Sequence, residues 1–320
     1  MSEIAGTFDF EDFHRIAEKV RNWGRWGDDD QIGTLNHITP ERLTAAAGLV
    51  KRGVSFDLGI RLDSNGPQPG KYGRANPIHV MTETGADQDF PGGLRCADDY
   101  IVMPLQGATQ WDGLAHVFYD GKLYNGFPAS DVTPHGAKSL GIENLGKGVA
   151  GRGILLDVAG HKGVDWLAMG EVITPEDLEE VAAAQGVEVR SGDVLCFRTG
   201  WRQKFHADGA SEFMAGEPGI GMATIEWLHE KEIAAIASDN WAIEVLNPSG
   251  DLFGGEIEGM FDNVHMILIR DMGMTLGEIF DFDELAADCS ADGVWEFFFC
   301  APPLKVTGGV GSPINPLAIK

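Results

Sequence analysis

The sequence predicts a single α/β domain with a mixed, barrel-like β-sheet flanked by helices. Its 320 residues are enough for one large domain of this class. Helices with clear capping signals are interspersed with short, β-rich apolar runs, as expected when helices cover a sheet. No internal repeat, low-complexity tract or linker divides the chain. We therefore expect one domain over residues 1–320, with an N-terminal helical extension over about residues 1–55.

Three helices are predicted from local signals. The segment "ITPERLTAAAGLVKRG" has Thr39 as its N-cap and Gly53 as its expected end. In "ITPEDLEEVAAAQG", Thr174 caps the helix, Asp177 completes a capping box and Gly186 terminates it. Apolar residues at helical spacing predict a further amphipathic helix near the N-terminus: Phe13, Ile16, Ala17 and Val20.

Short apolar runs bounded by Gly, Asp or Pro predict the strands. Several runs lack strict alternation, which indicates strands buried on both faces. The segment from Asp63 to Gly93 is rich in Gly, Pro and Asn and predicts a long loop of functional importance. The five predicted strands are "RGILLDVAG", "GDVLCFRTG", "EIAAIASDN", "HMILIRDMG" and "VWEFFFCAP".

Composition excludes several classes of partner. The formal net charge of -25 argues against nucleic acid and anionic membranes, both of which require a basic patch. No apolar run is long enough to span a bilayer, and the acidic N-terminus is unlike a signal peptide. The four cysteines are scattered, as in proteins of a reducing compartment. We therefore expect a cytoplasmic protein that acts on a small molecule.

The stretch "PLQGATQWDGLAH" places polar groups at regular spacing in an apolar run. If it is extended, Gln106, Gln110 and Asp112 share one face, because residues of equal parity lie on the same side of a strand. His116 follows a short turn and can fold back over that face. An edge strand whose polar face meets water would show the same pattern.

Two further polar residues stand out late in the chain. His265 opens the run "MILI", and Glu278 follows a Gly-containing turn. Taken alone, His265 fits a hydrogen-bonded core histidine, and Glu278 fits a charge at a helix N-terminus.

Together these segments resemble the putative cyclase family, the metal-dependent hydrolases that include bacterial kynurenine formamidase and isatin hydrolase. The family pattern is His-x-Gly-Thr-His-x-Asp-x-x-x-His, then a distant His and Glu, then a closing "PLK-x-x-G-x-x-GSP". This chain has "QGATQWDGLAH", His265 with Glu278, and "PPLKVTGGVGSPINPLAI". The resemblance runs from about Trp26 to the C-terminus and implies a cyclase-like swivelling β/β/α fold.

The resemblance also implies a metal site and a proton shuttle. The implied shuttle is His116, and Glu278 is a second catalytic candidate, because two carboxylates without a cation raise a pKa. Where the family has its first two metal-binding histidines, this chain has glutamines. The implied metal ligands are therefore Gln106, Gln110, Asp112, His265 and Glu278.

The two glutamines change the expected metal chemistry. A neutral amide oxygen is a poorer zinc ligand than imidazole, so the site favours Mn²⁺ over Zn²⁺, or binds no metal. The leading hypothesis is a hydrolase that cleaves a C–N bond, other than a peptide bond, in a small amide, lactam or related cyclic compound. Two alternatives are a metal-independent lyase or cyclase that uses the same pocket and an inactive homologue that only binds a small molecule.

Several side chains are candidates to contact the substrate. Asp239 and Trp241 directly follow the strand "EIAAIA", although a turn carboxylate and a core indole would look the same. The resemblance further implies a homo-oligomer, either a homodimer or a homotetramer. The full set of expected substrate-binding residues is Trp111, Asp239, Trp241, Phe118 and His79.

Overall fold

The computed structural model of the chain describes residues 10–246 and 263–320. The first nine residues of the expected N-terminal extension and the segment 247–262 lie outside the described residues. None of the helices within the described ranges is long and apolar enough to cross a bilayer.

Helices and short strands alternate along most of the described chain. The α-helices are α1 Phe10–Lys19, α2 Pro40–Ala47, α3 Val158–Lys162, α4 Pro175–Gln185, α5 Trp201–Asp208, α6 Ala210–Phe213, α7 Met222–Glu230 and α8 Asp283–Asp292. The first six strands in the sequence are β1 Ser55–Asp57, β2 Ile78–Glu83, β3 Asp98–Val102, β4 Gln110–Asp112, β5 Val132–Thr133 and β6 Gly136–Ala137. The remaining strands are β7 Ala150–Asp157, β8 Val172–Ile173, β9 Val194–Arg198, β10 Gly219–Ile220, β11 Ala235–Ser238, β12 Thr275–Glu278, β13 Glu296–Cys300, β14 Gly311–Pro313 and β15 Leu317–Ile319.

A nine-stranded mixed sheet, curled into a half-barrel, organises the single α/β domain. Its strand order is β1-β15-β13-β7-β9-β11-β12-β4-β14. Strands β7, β9, β11 and β12 form a parallel centre, and the flanking strands pair antiparallel. The fold class predicted from the sequence is confirmed.

The sheet separates two hydrophobic cores. Along β7, Ile154 and Leu156 pack into one core with α1, α4 and α7, whereas Leu155 packs into the other with Phe297 and Phe299. All three β7 side chains are fully buried. Burial on both faces explains why this strand is a continuous apolar run in the sequence.

The capped helices form as predicted, with one difference in length. In α4, Thr174 and Asp177 exchange the two hydrogen bonds of a capping box, and Gly186 terminates the helix in the left-handed region. Thr39 caps α2, but this helix ends at Ala47 and not near Gly53. Gly48 is the C-cap, because its backbone N–H donates hydrogen bonds to carbonyl oxygens of the last helical turn.

Four of the five predicted strands are confirmed as β7, β9, β11 and β13. The prediction for "HMILIRDMG" is wrong, because Met266–Met272 forms a π-helix. Every residue from Ile267 to Met272 is buried. A short, fully buried apolar run has the same hydrophobic pattern in a strand and in a helix, so periodicity alone cannot separate them.

The segment from Asp63 to Gly93 is not loop throughout, because it contains β2. β2 pairs antiparallel with β3 in a two-stranded hairpin that is separate from the central sheet. Both strands of this hairpin are largely exposed. Neither face is buried, so their sequences lack the alternation of apolar and polar residues by which a strand is predicted.

Candidate active site

Two neighbouring strands and the start of the π-helix bring the candidate site together. In the β12–β4 pair, Glu278 lies opposite Gln110, and Leu276 lies opposite Asp112. His265 directly precedes the π-helix, which packs against β12. The ligand atoms of Asp112, His265 and Glu278 all lie within 4.8 Å of one another. The three residues that the family resemblance joined across the chain are therefore in one cluster.

Gln110 lies inside this cluster and is completely buried. Its side-chain Nε2 donates to Glu278 Oε2 at 2.6 Å and lies 3.5 Å from Asp112 Oδ1. Its Oε1 is buried and has no partner among the described residues. The amide N–H₂ thus lies against both carboxylates, and its acceptor is unsatisfied.

His265 contacts carboxylates through both ring nitrogens. Nε2 lies 3.0 Å from Glu278 Oε1 and 3.7 Å from Asp112 Oδ2. On the other side, Nδ1 lies 3.2 Å from Glu244 Oε1, an ion-pair distance without hydrogen-bond alignment. The backbone N–H of His265 donates to the second oxygen of Glu244 at 2.9 Å. Glu244 therefore holds both the main chain and the ring of His265.

Burial and mutual charge shift the pKa values of the cluster. Burial raises the pKa of Glu278 to about 7, and the charge of Asp112 adds to this effect. Burial alone would lower the pKa of His265, but the surrounding carboxylates, led by Glu244, raise it well above its usual value. Burial opposes ionisation of Asp112, yet protonation of His116 or His265 beside it outweighs burial and holds that pKa below its usual range. Without a bound cation, a protonated His265 supplies the compensating positive charge.

His116 lies beside the cluster on the turn after β4. Its Nε2 is 3.6 Å from Asp112 Oδ2. Burial lowers the pKa of His116, and this effect exceeds the opposing influence of the Asp112 charge. The imidazole is therefore neutral near pH 7 and able to accept a proton.

Gln106 does not continue the polar face of β4, because it lies in a turn before the strand begins. Its Nε2 is buried without a partner among the described residues. A Cβ on Gly311 of the adjacent strand β14 would lie only 2.4 Å from this atom. Glycine at position 311 therefore leaves room for the Gln106 amide. The role of Gln106 as a metal ligand stays a prediction.

Trp111 lies on the opposite face of β4 from Gln110 and Asp112. Its indole N–H donates to the carbonyl of Ala301 at 2.7 Å, and its ring packs against Phe280 in the core. Trp111 was expected to contact the substrate, but its side chain is part of the hydrophobic core. Strand alternation, the same rule that aligned the polar residues, places it there.

Asp239 and Trp241 lie on the loop after β11 and have different environments. The carboxylate of Asp239 accepts hydrogen bonds from the Thr199 N–H and hydroxyl and from the Gly200 N–H at 2.7–2.8 Å. Burial raises its pKa to about 6. The structure thus gives Asp239 a role in holding the turn after β9. Trp241 is buried and stacks on Tyr72, with ring centroids 5.7 Å apart.

The other two expected substrate contacts are exposed. Phe118 is 38% exposed on the turn beyond His116. His79 lies on the exposed β2–β3 hairpin, where its Nε2 is 2.7 Å from Asp99 Oδ2. Contact of either residue with substrate stays a prediction.

Two charged residues that act on the cluster are absent from those predicted from the sequence: Glu244, which contacts His265, and Arg74, whose charge helps to lower the pKa of Asp112. Glu244 lies in "SDNWAIEV", where its position after a buried strand was a usable signal. Arg74 lies in the Gly- and Pro-rich segment that was expected to be functional. Nothing in the sequence identifies which residues of these segments face the cluster.

The donor set of the cluster fits a divalent cation that prefers oxygen. Two carboxylates and one imidazole converge, and Gln110 Oε1 would add an amide oxygen if the side chain turned toward them. Oxygen-rich sets favour Mn²⁺ or Mg²⁺, whereas zinc prefers nitrogen and sulfur. His265 would have to release its proton to bind the ion. The cluster is therefore a candidate divalent-metal site.

A buried carboxylate–imidazole cluster lies on β4, β12 and the start of the π-helix of this curled mixed-sheet fold. A model of the family described as Putative cyclase matches residues 31–245, which is more than half of the chain. The chain belongs to the putative cyclase family.

Individual relatives agree with this assignment. The isatin hydrolase of Roseibium aggregatum is 26% identical over 248 residues, covering 76% of this chain and 80% of that protein. A crystal structure described as a novel cyclase is 43% identical with a TM-score of 0.85, covering 94% of this chain and all of that one. An isatin hydrolase structure with the product analogue thioisatinate shares the fold at 21% identity and a TM-score of 0.56, covering 85% and 93% of the two chains.

Proposed function

We propose that the protein hydrolyses a non-peptide C–N bond in a small amide, lactam or related cyclic compound, using a divalent metal ion. The observation that carries the proposal is the convergence of Asp112, His265 and Glu278 within 4.8 Å. His116 Nε2 lies 3.6 Å from Asp112 beside this cluster, where an acid–base group is needed. The relative named isatin hydrolase acts, by its name, on a lactam of this kind.

The residues of this chain have distinct roles in the proposed reaction. When bound, the ion would polarise the substrate carbonyl and lower the pKa of a water molecule. Asp112 and Glu278 supply the negative charge that holds the ion, and His265 supplies a nitrogen donor. His116, neutral near pH 7 because burial lowers its pKa, accepts the proton of the attacking water and delivers it to the leaving nitrogen.

The oxygen-rich donor set leads us to propose Mn²⁺ as the ion. The test begins with protein purified without chelator or affinity metal, whose metal content is measured by elemental analysis. Hydrolysis of a panel of small lactams and aryl amides, isatin included, is then measured after chelation and after addition of Mn²⁺ or Zn²⁺. We expect chelation to abolish hydrolysis and Mn²⁺ to restore more of it than Zn²⁺ does. Hydrolysis that survives complete chelation would contradict the proposal.

One observation favours a second candidate, a metal-independent lyase or cyclase in the same pocket. Gln110 Nε2 donates to Glu278 at 2.6 Å and lies close to Asp112, so an amide N–H₂ occupies the space between the carboxylates. A Glu278 carboxyl with a raised pKa could then act as an acid. Turnover that is independent of metal and releases no hydrolysis product would support this candidate.

A further inference from the structure

A tight loop lies against the Gln106 side of the cluster. Pro69 and Ala75 form a β-bridge that closes the loop, and residues 70–74 lie between them. Next to the bridge, the side chain of Gln68 donates to the main-chain carbonyl of Gln106 at 3.4 Å. We refer to residues 70–74 as the closed loop. Its base is thus attached to the segment that leads directly into β4.

The backbone of the closed loop has an unusual conformation. Gly70, Tyr72 and Gly73 all have positive φ, at 95°, 56° and 73°. Glycine adopts this region at no steric cost, but a tyrosine is disfavoured there. Non-glycine residues remain in such conformations only where their surroundings hold them, and they are concentrated at functional sites.

Lys71 and two aromatic rings hold the closed loop to the body of the protein. The Lys71 ammonium lies 5.2 Å from the Tyr72 ring centroid and 5.8 Å from the Trp241 centroid, and it donates to the Met214 carbonyl at 3.4 Å. The two rings are parallel within 3°. The residue before Trp241, Asn240, accepts a backbone hydrogen bond from Ile279, the neighbour of Glu278. This anchoring fixes the loop beside the catalytic end of β12.

Arg74 ends the closed loop, and the next residue, Ala75, packs beside the segment that leads into β4: a Cβ on Gly107 would lie 3.6 Å from the Ala75 carbonyl. Arg74 is half-buried, and it forms no ion pair with any residue of the described chain. Its positive charge contributes to lowering the pKa values of Asp112, His116 and Glu278. An unpaired guanidinium at a partly buried position is available to a ligand that supplies an anion.

A second unsatisfied donor belongs to Trp241, the residue that stacks on Tyr72 of the closed loop. The indole Nε1 of Trp241 is buried and has no hydrogen-bond partner among the residues that the structure describes. Buried donors are almost always paired, so an orphaned one beside a candidate site points to a ligand acceptor. Arg74 and Trp241 are linked through the closed loop, because Trp241 stacks on Tyr72 two residues before Arg74, and together they offer N–H donors and one positive charge.

We propose that Arg74 forms a carboxylate-binding subsite next to the cluster, so that the substrate carries a carboxylate or the product acquires one. The inference rests on the proposed function, since hydrolysis of an amide or lactam yields a carboxylic acid. The planar guanidinium presents two parallel N–H donors, which match the two oxygens of a carboxylate. A neutral amide of the same shape offers one acceptor and no charge, so the subsite discriminates against it.

The test measures binding of benzoate and of its neutral analogue benzamide by calorimetry, without any requirement for turnover. In Arg74→Gln, we expect benzoate to bind about tenfold more weakly or worse, and benzamide to bind as before. Arg74→Lys retains the positive charge but lacks the two parallel N–H donors of the guanidinium. It should therefore bind benzoate more tightly than Arg74→Gln and more weakly than the wild type. Arg61→Gln is the matched control, since it removes an exposed arginine from a different cavity, and it should leave benzoate binding unchanged.

Two results would overturn the subsite: benzoate binding to the wild type no better than benzamide, or unchanged benzoate affinity in Arg74→Gln. If no amide is hydrolysed but benzoate binding still depends on Arg74, the proposed function fails and the subsite stands. Where hydrolysis is found, kinetics separate the two sources of the carboxylate. Arg74→Gln raises KM for an acid-bearing amide if the substrate carries the group, and it relieves product inhibition if hydrolysis forms it.

Discussion

Glu244 is a positioning residue for His265 because it contacts the histidine at two points, the backbone N–H and the ring Nδ1. The charge of a carboxylate 3.2 Å from Nδ1 favours a proton on that nitrogen, which leaves the Nε2 lone pair directed at the cluster. We expect Glu244→Gln, which keeps the size but removes the charge, to weaken Mn²⁺ binding about 10- to 100-fold. Calorimetric titration with Mn²⁺ measures this directly.

Glu232→Gln is the control for that change. It removes the same charge at the opposite end of β11, where Glu232 pairs with Arg25 and contacts neither His265 nor the cluster. Its Mn²⁺ affinity should equal that of the wild type. Equal affinities for Glu244→Gln and the wild type would show that the contact does not orient the imidazole.

His116 is expected to carry the proton in catalysis. Its neutral ring lies 3.6 Å from Asp112, and no metal-ligand role is predicted for it. His116→Ala should reduce kcat by roughly 100-fold or more, the usual size of a general acid–base contribution, with a smaller effect on KM. His135→Ala, at an exposed histidine, serves as the control. Activity near that of the wild type in His116→Ala would move the proton-transfer role to Glu278.

At the scale of elements, Gly277 determines where β12 places Glu278. A Cβ at this position would lie 2.5 Å from the Trp111 ring and 2.8 Å from the Phe280 ring, too close for either. We expect Gly277→Ala to lower the free energy of unfolding by about 1–3 kcal/mol through overpacking, and to lower activity by displacing the adjacent carboxylate. Urea unfolding and steady-state kinetics measure the two effects.

Gly151→Ala tests whether this cost is specific to position 277. Gly151 lies on β7 of the same sheet, and a Cβ there would meet Ile38 at an ordinary contact distance of 3.6 Å. Its stability should change little. A Gly277→Ala protein as stable as Gly151→Ala would show that the core around Trp111 has room that the structure does not indicate.

Elements with local signals could be predicted from the sequence, and elements without them could not. The capping box of α4 and the apolar run of β7 depend on neighbouring residues, so both were predicted correctly. The π-helix Met266–Met272 was mistaken for a strand because its residues are buried all round and show no period. The exposed hairpin was missed for the opposite reason, since neither face is buried against the sheet.

The candidate site shows the same division. Strand alternation predicted that Gln110 and Asp112 share a face, and it would also have placed Trp111 in the core. Their contact with His265 followed only from the family resemblance, because spacing along the chain carries no such information. Glu244 owes its role to contact between the loop after β11 and the start of the π-helix, and no local pattern encodes that contact.

At the scale of the whole molecule, the β2–β3 hairpin exposes an apolar face. In this hairpin, Ile78 pairs with Val102 and Val80 with Tyr100, so all four side chains lie on one face. Ile78 is 56% exposed and Val102 is 55% exposed. An isolated two-stranded hairpin is marginally stable in water, and exposed apolar patches mark interaction surfaces. We propose that this face is covered by a second copy of the chain.

Light scattering coupled to size-exclusion chromatography tests this proposal. The wild type should elute with the mass of a homodimer or a homotetramer. The double variant Ile78→Asp with Val102→Asp should shift toward the monomer, because it places two charges on the apolar face. A variant with two substitutions on the exposed surface of α4, Ala183→Asp and Ala184→Asp, adds the same two negative charges elsewhere and controls for altered charge. A monomeric wild type would contradict the proposal.

Mn²⁺ binding by chelator-free protein tests the metal assignment most directly. Titration followed by electron paramagnetic resonance should show about one bound Mn²⁺ per chain in the wild type, as expected from the one candidate cluster found among residues 10–246 and 263–320. Asp112→Asn removes a charged ligand while preserving its shape, and it should abolish tight binding and amide hydrolysis together. If the wild type binds no Mn²⁺, or if Asp112→Asn binds it equally well, the cluster of Asp112, His265 and Glu278 is not the metal centre of a hydrolase.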